Sequence, residues 1–417
     1  MSSPLSFVLC NYKALDYFRF AYQSLRANLD PEHEIVLLDD GSDDGGSGDG
    51  AAQWMASLDD PNLVRHVEPA NVGIAHAYNK AVSLATREYV CVLHSDMYVP
   101  PGFDADLLDM LGQGYDFLAA YRAEPPVYAP SPDKADLNCG DRLSDFDPAC
   151  FHAWAEENRV RNRGVVEPVL FFPWVTRRRL FLDLGGVDLL FLKYMVDDDD
   201  LYLRVKLSGA RYGQARQAAV YHFGSRSTRF AGDDVTAEPS DEWAAQYYMS
   251  IRNFARKWGC FPGQAWNERM ELVVPALLDI GMELTGATAP LIRALEPFAR
   301  VLYVDSEAAR DEYLRSEQPL TRMDLSGRVK LLGKDKRADH DVRVGLRGAD
   351  MTEAALKMIP RLHEVIAGVG RTDTYTVEDV YRVQVRRLVR REAGNVVNTR
   401  IFDHQGTGIE PGFSSAG

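Results

Sequence analysis

The chain has 417 residues, 46% of them hydrophobic, with 61 acidic against 47 basic side chains and a formal charge of −14. That length can bury one large core or two moderate ones, and two domains is the expectation. The acidity excludes a general polyanion binder, which needs an excess of Lys and Arg to displace phosphate counterions. No stretch approaches the roughly 18 uninterrupted apolar residues of a membrane span. The start, MSSPLSF, lacks the charged region and apolar run of a secretory signal, so a cytoplasmic location is expected. The five cysteines (Cys10, Cys91, Cys139, Cys150, Cys260) are odd in number and lack CxxC spacing, which predicts reduced thiols rather than a disulfide framework.

LSFVLCNY, from Leu5 to Tyr12, is an apolar run that predicts a strand, followed by a helix in which Phe18, Tyr22 and Leu25 share one face. EIVLLDD, from Glu34 to Asp40, predicts a second strand, ended by GSDDGGSGDG, a loop by composition. ANVGIAHAYNKAVSLA reads as a loop entering a helix, and Tyr89 to Leu93 as a third, fully buried strand. Strands alternating with helices imply a mostly parallel sheet covered on both faces.

Ligands of such sheets bind outside the carboxyl ends of the strands. Three of those ends are polar here: Asn11 and Tyr12, then Asp39 and Asp40, then His94, Ser95 and Asp96. Any one of them could merely cap a turn. All three on one edge point to a ligand, because a buried carboxylate without a partner would neutralise instead.

FFPWVTRRRLFLDLGGVD supplies aromatic residues and a Gly-Gly turn; Trp174 offers a ring face for stacking, or is plain core, and Asp188 follows the glycines. MVDDDDLYLRVKLSG places four aspartates in the first turn of a helix, where the dipole favours negative charge, with Asp200 and Arg204 spaced to pair. AAVYHFGSRST then sets His222 after a short strand, and Arg226 and Arg229 follow it in a loop suited to clamping a diphosphate. The span from about Glu124 to Arg163, rich in Pro, Asp and Asn, is the expected acceptor-specific loop.

SFVLCNYK, VLLDDGSDDG, NVGIAHAYNKAVSLATREYVCVLHSDMYVPPGF and GGVDLLFLKYMVDDDDLYLR together resemble the successive blocks of the family 2 glycosyltransferases, from about Leu5 to about Gly259. The resemblance implies a GT-A fold over residues 1–260 and inverting transfer of a sugar from a nucleoside diphosphate sugar to an acceptor hydroxyl. By position it implies nucleotide contacts at Asn11, Tyr12, Asp39, Asp40, Asn79, His94 and Ser95, and donor or acceptor contacts at Trp174, Asp188 and Asp197. The family's metal-binding Asp-x-Asp falls on His94, Ser95 and Asp96, with His replacing the first Asp, so Asp96 and His222 are the implied metal ligands. Asp198 stands at the position of the catalytic base.

A departing nucleoside diphosphate builds up negative charge that a divalent ion offsets, and the oxygen ligands suit Mg²⁺ or Mn²⁺, with the imidazole favouring Mn²⁺. A base is needed to take the acceptor proton. UDP-, GDP- and dTDP-sugars fit as donors, and a glycan, lipid, protein or small molecule as acceptor. A non-catalytic nucleotide-sugar or glycan-binding protein would lack the base or the metal site, and a sugar nucleotidyltransferase would need a Gly-rich loop after the first strand, where LCNYKALDYF has no glycine.

Residues 261–417 fall outside the resemblance. PALLDIGMELTGATAPLIRALEPFARVLYVD reads as strand, helix, strand and is similar to the opening half of a methyltransferase-type Rossmann unit, but DIGMELTG lacks the tight glycine spacing of a cofactor loop and few strand-like runs follow. A small α/β or helical accessory domain is therefore expected. In TVEDVYRVQVRRLVRRE, Tyr381, Val385, Leu388 and Val389 recur at helical spacing, with Arg382, Arg386 and Arg390 on another face. That basic helix fits peripheral membrane association, an acidic partner or the protein's own acidic body, the last being the simplest, and a homo-oligomer stays open. DHQGTGIEPGFSSAG reads as a flexible tail.

Overall fold

The computed structural model describes residues 4–43, 48–126, 129–191, 195–224, 226 and 238–389. Among these, residues up to Gln246 together with Asn267–Leu272 form one compact unit, and Tyr247–Trp266 with the residues from Val273 onward form another.

The first unit opens with β1 (Ser6–Asn11), α1 (Leu15–Asn28), β2 (Glu34–Asp39), α2 (Ala51–Ser57), β3 (Leu63–Val67), α3 (Ile74–Leu84) and β4 (Tyr89–Leu93). β5 (Met97–Tyr98), α4 (Phe103–Gly112), β6 (Phe117–Glu124), β7 (Lys134–Asp136), α5 (Pro148–Arg161), β8 (Val166–Glu167) and β9 (Trp174–Arg177) follow. α6 (Arg178–Asp183), α7 (Asp197–Leu207) and β10 (Tyr212–His222) complete it. Its sheet runs β3-β2-β1-β4-β9-β6-β10-β5, with β7 on β6 and β8 on β10. β1, β2, β3 and β4 are parallel neighbours, and continuous apolar runs such as Ile35–Leu38 are buried on both faces, as such a sheet requires.

β9 lies antiparallel between β4 and β6. Two reversals restore the original direction, so β6 and its parallel neighbour β10 end on the same edge as β1, β2 and β4. Glu124 and His222 thereby join Asn11, Asp39 and His94 at that edge. β5 then pairs antiparallel with β10, His222 opposite Met97, which brings Asp96 beside the imidazole.

The span expected to be a loop is ordered. Asp147 accepts from the N–H groups of Ala149 and Cys150 at 2.9 and 3.3 Å and, with Pro148 in the first turn, starts α5. Cys139 and Cys150 form a disulfide, Cα atoms 5.8 Å apart, which corrects the expectation of reduced thiols; spacing along the chain could not reveal a pair made by a fold-back. Phe151, Tyr221, Phe223, Tyr98 and Tyr17 pack around it as a small aromatic core, and the Tyr221 hydroxyl donates to the Gly140 carbonyl at 2.6 Å.

The second unit contains α8 (Asp241–Trp258) from Tyr247 onward, then β11 (Ile280–Thr285), α9 (Ala289–Leu295), β12 (Val301–Val304), α10 (Glu307–Glu317), α11 (Leu325–Arg328) and β13 (Val329–Leu331). β14 (Val342–Arg347), α12 (Glu353–Met358), α13 (Leu362–Val369), β15 (Thr374–Val377) and β16 (Tyr381–Val385) close it. Its six-stranded sheet, β13-β12-β11-β14-β16-β15, is parallel through β14 and ends in an antiparallel hairpin. The predicted basic helix is therefore a strand over Tyr381–Val385. Tyr381, Val383 and Val385 are buried while Arg382 and Gln384 are exposed, the two-residue alternation of a sheet, and Tyr381 and Val385 satisfy both periods. Glu378 and Asp379, at φ 51° and 53°, make the turn. Arg390 lies outside the described residues. At the end of β12 the Asp305 carboxylate accepts from the N–H groups of Gly286 and Ala287 at 2.7 and 3.0 Å, so it is spent on the loop after β11.

Two stability tests follow from the first unit. Asp200 and Arg204 are both 0% exposed and paired at 2.8 Å, and Arg204 also donates to the Leu184 carbonyl at 2.7 Å. Asp200→Ala leaves a buried guanidinium uncompensated and should cost about 3–5 kcal/mol in urea denaturation, most of it recovered by the double change Asp200→Leu with Arg204→Met; a loss under ~1 kcal/mol would show the pair to be dispensable. Replacing Cys139 and Cys150 together by serine should cost about 2–4 kcal/mol, measured the same way under non-reducing conditions.

Candidate active site

Three side chains from the sheet edge converge. Nε2 of His222 lies 3.3 Å from Oδ1 of Asp96, and Nδ1 of His94 lies 3.5 Å from the same Nε2. One ligand atom from each of the three falls within 4.8 Å of the others, and this is the metal-competent His/Cys/Asp/Glu cluster found among the described residues. The His94 ring stacks on Phe172 with centroids 4.2 Å apart. Oδ2 of Asp96 accepts the Arg226 N–H at 3.0 Å, and Nδ1 of His222 meets Oε1 of Glu124 at 2.7 Å.

Burial alone would raise Asp96, but the charges of His222 and His94 and the Arg226 N–H outweigh it and hold the carboxyl well below its usual range. Burial would lower His222, yet Asp96 and then Glu124 carry it to about 9. His94 goes the other way: burial and the neighbouring His222 push it down to about 3. Two imidazoles and one carboxylate facing one another form a donor set that fits a divalent transition ion, His nitrogen being its commonest side-chain ligand.

α7 carries the aspartates. Its first turn is Asp197 to Asp200, and the two residues before it, Met195 and Val196, stand at φ 78° and 67°, a strained conformation for a β-branched side chain. Burial raises both Asp197 and Asp198, with Asp198 adding to Asp197. Burial likewise drives Tyr78 well above its ordinary value, and the carboxylates of Asp197, Asp96 and Asp198 all contribute, while the Arg122 charge acts on both Asp198 and His94. Asp198 and the His/Asp cluster therefore share one electrostatic neighbourhood.

Comparisons with known proteins bear on this edge. Residues 6–129 match the model of the family described as Glycosyl transferase family 2. That segment is similar to glycosyl transferase family 2. The succinoglycan biosynthesis protein ExoU of Rhizobium meliloti (strain 1021) is 30% identical over 194 residues, 43% of this chain and 50% of ExoU. EpsH of Bacillus subtilis (strain 168) is 30% identical over 126 residues, 30% of this chain and 36% of EpsH. The chain thus spans half or less of the curated relatives it matches. Among solved structures, S. aureus TarS 1–349 in complex with UDP-GlcNAc has a TM-score of 0.42 at 16% identity, covering 60% of this chain and 65% of that one. The mannosyltransferase PcManGT from Pyrobaculum calidifontis, in complex with GDP-Man and Mn²⁺, has a TM-score of 0.39 at 14% identity, covering 62% and 64%.

Within the first unit, several residues singled out from the sequence have other occupations. Asn79 is fully buried and spends its amide on Val187, accepting from its N–H and donating to its carbonyl, both at 2.8 Å; it is a clamp on the turn before α7, not a nucleotide contact. The clamp requires glycine next door, since a Cβ on Gly186 would meet the Asn79 Oδ1 at 2.2 Å. Trp174 is 0% exposed, stacked on Phe181 and packed by Phe117 and Phe172, so no ring face is open to a sugar. Arg226 is 1% exposed and its guanidinium donates to the carbonyls of Phe223 and Asp141, which makes it a buried brace rather than a free clamp. Arg229 lies outside the described residues.

Asp39 is 0% exposed, and its carboxylate accepts from Asn11 at 2.8 Å and from the Ser42 hydroxyl at 2.5 Å. Tyr12, beside this knot, is half-buried, and Ser95 is buried. Asp188 caps a short turn by accepting the Leu190 N–H at 2.9 Å. Glu124 was missed, although the strand-end rule that found Asp39 and Asp96 applies equally to the end of FLAAYRAE.

Asp40 holds the loop before α3, accepting from the Asn71 side chain and from the N–H groups of Val72 and Gly73 at 2.9, 2.9 and 3.0 Å. Gly41 is required beside it, because a Cβ there would meet Ala70 at 2.2 Å. Burial pushes Asp40 from 3.8 up to about 6, against the pull of those two N–H groups. Between those values the folded chain holds a proton the unfolded chain has released, so stability falls as the pH climbs through the window. Asp40→Asn has no such proton and should lose this part of the slope in urea melts from pH 4 to pH 7; an unchanged slope would rule Asp40 out as its source.

Proposed function

We propose that the first unit transfers a glycosyl group from a nucleoside diphosphate sugar to an acceptor hydroxyl, with inversion at the anomeric carbon and Asp198 as the base. The observation that supports this reading is the convergence of His94, Asp96 and His222 at the carboxyl edge of the sheet, and Asp198, in the first turn of α7, is assigned the base by its position in the sequence pattern. Asp96 and His222 are the residues that would hold a divalent ion, which supplies Lewis-acid stabilisation of the departing diphosphate when bound.

The chain's own residues do the rest. Burial lifts Asp198 toward the pH at which it works, improving its match to a hydroxyl proton, and Arg122 tempers the rise. Single displacement needs attack from the face opposite the leaving group, which inverts the configuration, so the carboxylate must sit across the sugar from the diphosphate. In this reading Asp197, 6% exposed in the same turn, contacts the acceptor or the donor sugar, and half-buried Tyr12 the nucleotide base. Donor chemistry enters by analogy alone: TarS and PcManGT have been solved with UDP-GlcNAc and with GDP-Man and Mn²⁺. No helix among the described residues is long and apolar enough to cross a membrane.

Release of nucleotide from UDP-, GDP- and dTDP-sugars, with Mn²⁺ and with EDTA, tests the reading. Activity should depend on the ion, and Asp198→Asn should lower turnover about 10²- to 10⁴-fold with the fold intact. Full turnover in that variant would remove Asp198 as the base.

A further inference from the structure

His222 reaches the cluster through one ring nitrogen only, and the other is committed. Nδ1 lies 2.7 Å from Oε1 of Glu124, at the end of the neighbouring strand β6, and both side chains are buried. An ionised carboxylate can only accept, so Nδ1 carries the hydrogen and Nε2 is the nitrogen turned toward Asp96 and His94. Glu124 is itself fixed from two sides: Nη1 of Arg122 stands 3.3 Å from Oε1 and Nζ of Lys134 stands 3.6 Å from Oε2. Arg122 is held in turn by Asp133 and by the Phe171 ring, 4.8 Å from its guanidinium, and Lys134 by Asp136 at 2.7 Å.

Glu124, Asp133 and Lys134, all buried, and half-buried Arg122 thus converge behind one imidazole nitrogen, in a place where packing alone would have taken apolar side chains. Cost decides the interpretation. A buried ionic group of this size is expensive to assemble and adds little stability over well-packed hydrophobic residues. Orienting a ring whose opposite nitrogen has a task is a reason to keep it.

We propose that Glu124 is a positioning residue: it selects the tautomer and fixes the ring plane of His222, so that Nε2 is presented as a donor to a divalent ion, while Arg122 and Lys134 keep the carboxylate ionised and in place. This rests on the reading that the cluster binds such an ion. It adds a residue from a fourth strand end, outside the ligand set, on which the affinity depends.

The test uses the full chain and Mn²⁺ alone, followed by the electron paramagnetic resonance of the free ion. Wild type should bind Mn²⁺ and His222→Ala should lose that binding; absence of any His222-dependent signal overturns both the metal reading and the role of Glu124. Given that signal, Glu124→Gln should weaken Mn²⁺ about 10- to 100-fold with unchanged circular dichroism, and Glu124→Asp should recover part of the loss. Affinity within about two-fold of wild type in Glu124→Gln overturns the positioning role and leaves the metal reading standing. Should Glu124→Gln fail to fold, Lys134→Met supplies the comparison, weakened Mn²⁺ supporting the proposal and unchanged affinity refuting it. Imidazole ¹⁵N spectra recorded above the pKa of His222, where the ring is neutral, add a readout that plain destabilisation would not move: His222 should be the Nδ1–H tautomer in wild type and a mixture in Glu124→Gln, and a mixture already present in wild type refutes the selection.

Discussion

A carboxylate taken out of water must be answered by a donor or a positive charge, and the carboxyl edge of the first sheet is governed by that requirement. Asp39 is answered by Asn11 and Ser42, Asp40 by the loop before α3, Asp96 by His222 and the Arg226 N–H, and Glu124 by Arg122 and Lys134. Each answer comes from a different stretch of chain. The edge is therefore cross-tied by its own polar groups, and residues that look interchangeable in sequence divide into those that tie and those left to act on something else.

The same division orders α7. Asp200 is wholly committed to Arg204, and Arg204 to the Leu184 carbonyl, which pins the helix to the turn before it. Asn79 clamps the same turn through Val187. Just before α7, Met195 and Val196 stand in a left-handed conformation that neither side chain prefers. Strain at that point is sustained because the contacts around it overdetermine the path. The four consecutive aspartates are thus not equivalent: the last builds the helix's attachment through Arg204, a role that the other three do not share.

Much of this was legible in the sequence. Continuous apolar runs gave β1, β2 and β4, and polar residues at their ends marked the edge before any coordinates. The failures have definite causes. Asn79 and Trp174 were read by chemical type, whereas their roles depend on burial, which a linear pattern does not report. Tyr381 and Val385 lie four apart, a spacing shared by one helical face and one face of a strand, and only the intervening exposed Arg382 and Gln384 separate the two. The Glu124–His222 contact joins strands paired side by side and the Cys139–Cys150 link ties a loop back to a helix, relations with no signature along the chain.

Tyr221 gives the small aromatic core a consequence of its own. Its hydroxyl holds the disulfide-closed segment at Gly140, its ring packs in that core, and the next residue along the strand is His222. The segment between β6 and β8 is thereby wired into the scaffold instead of hanging from it like an interchangeable flap. Grafting a different insert there would tug on the imidazole's own strand, so the segment cannot be exchanged without disturbing His222.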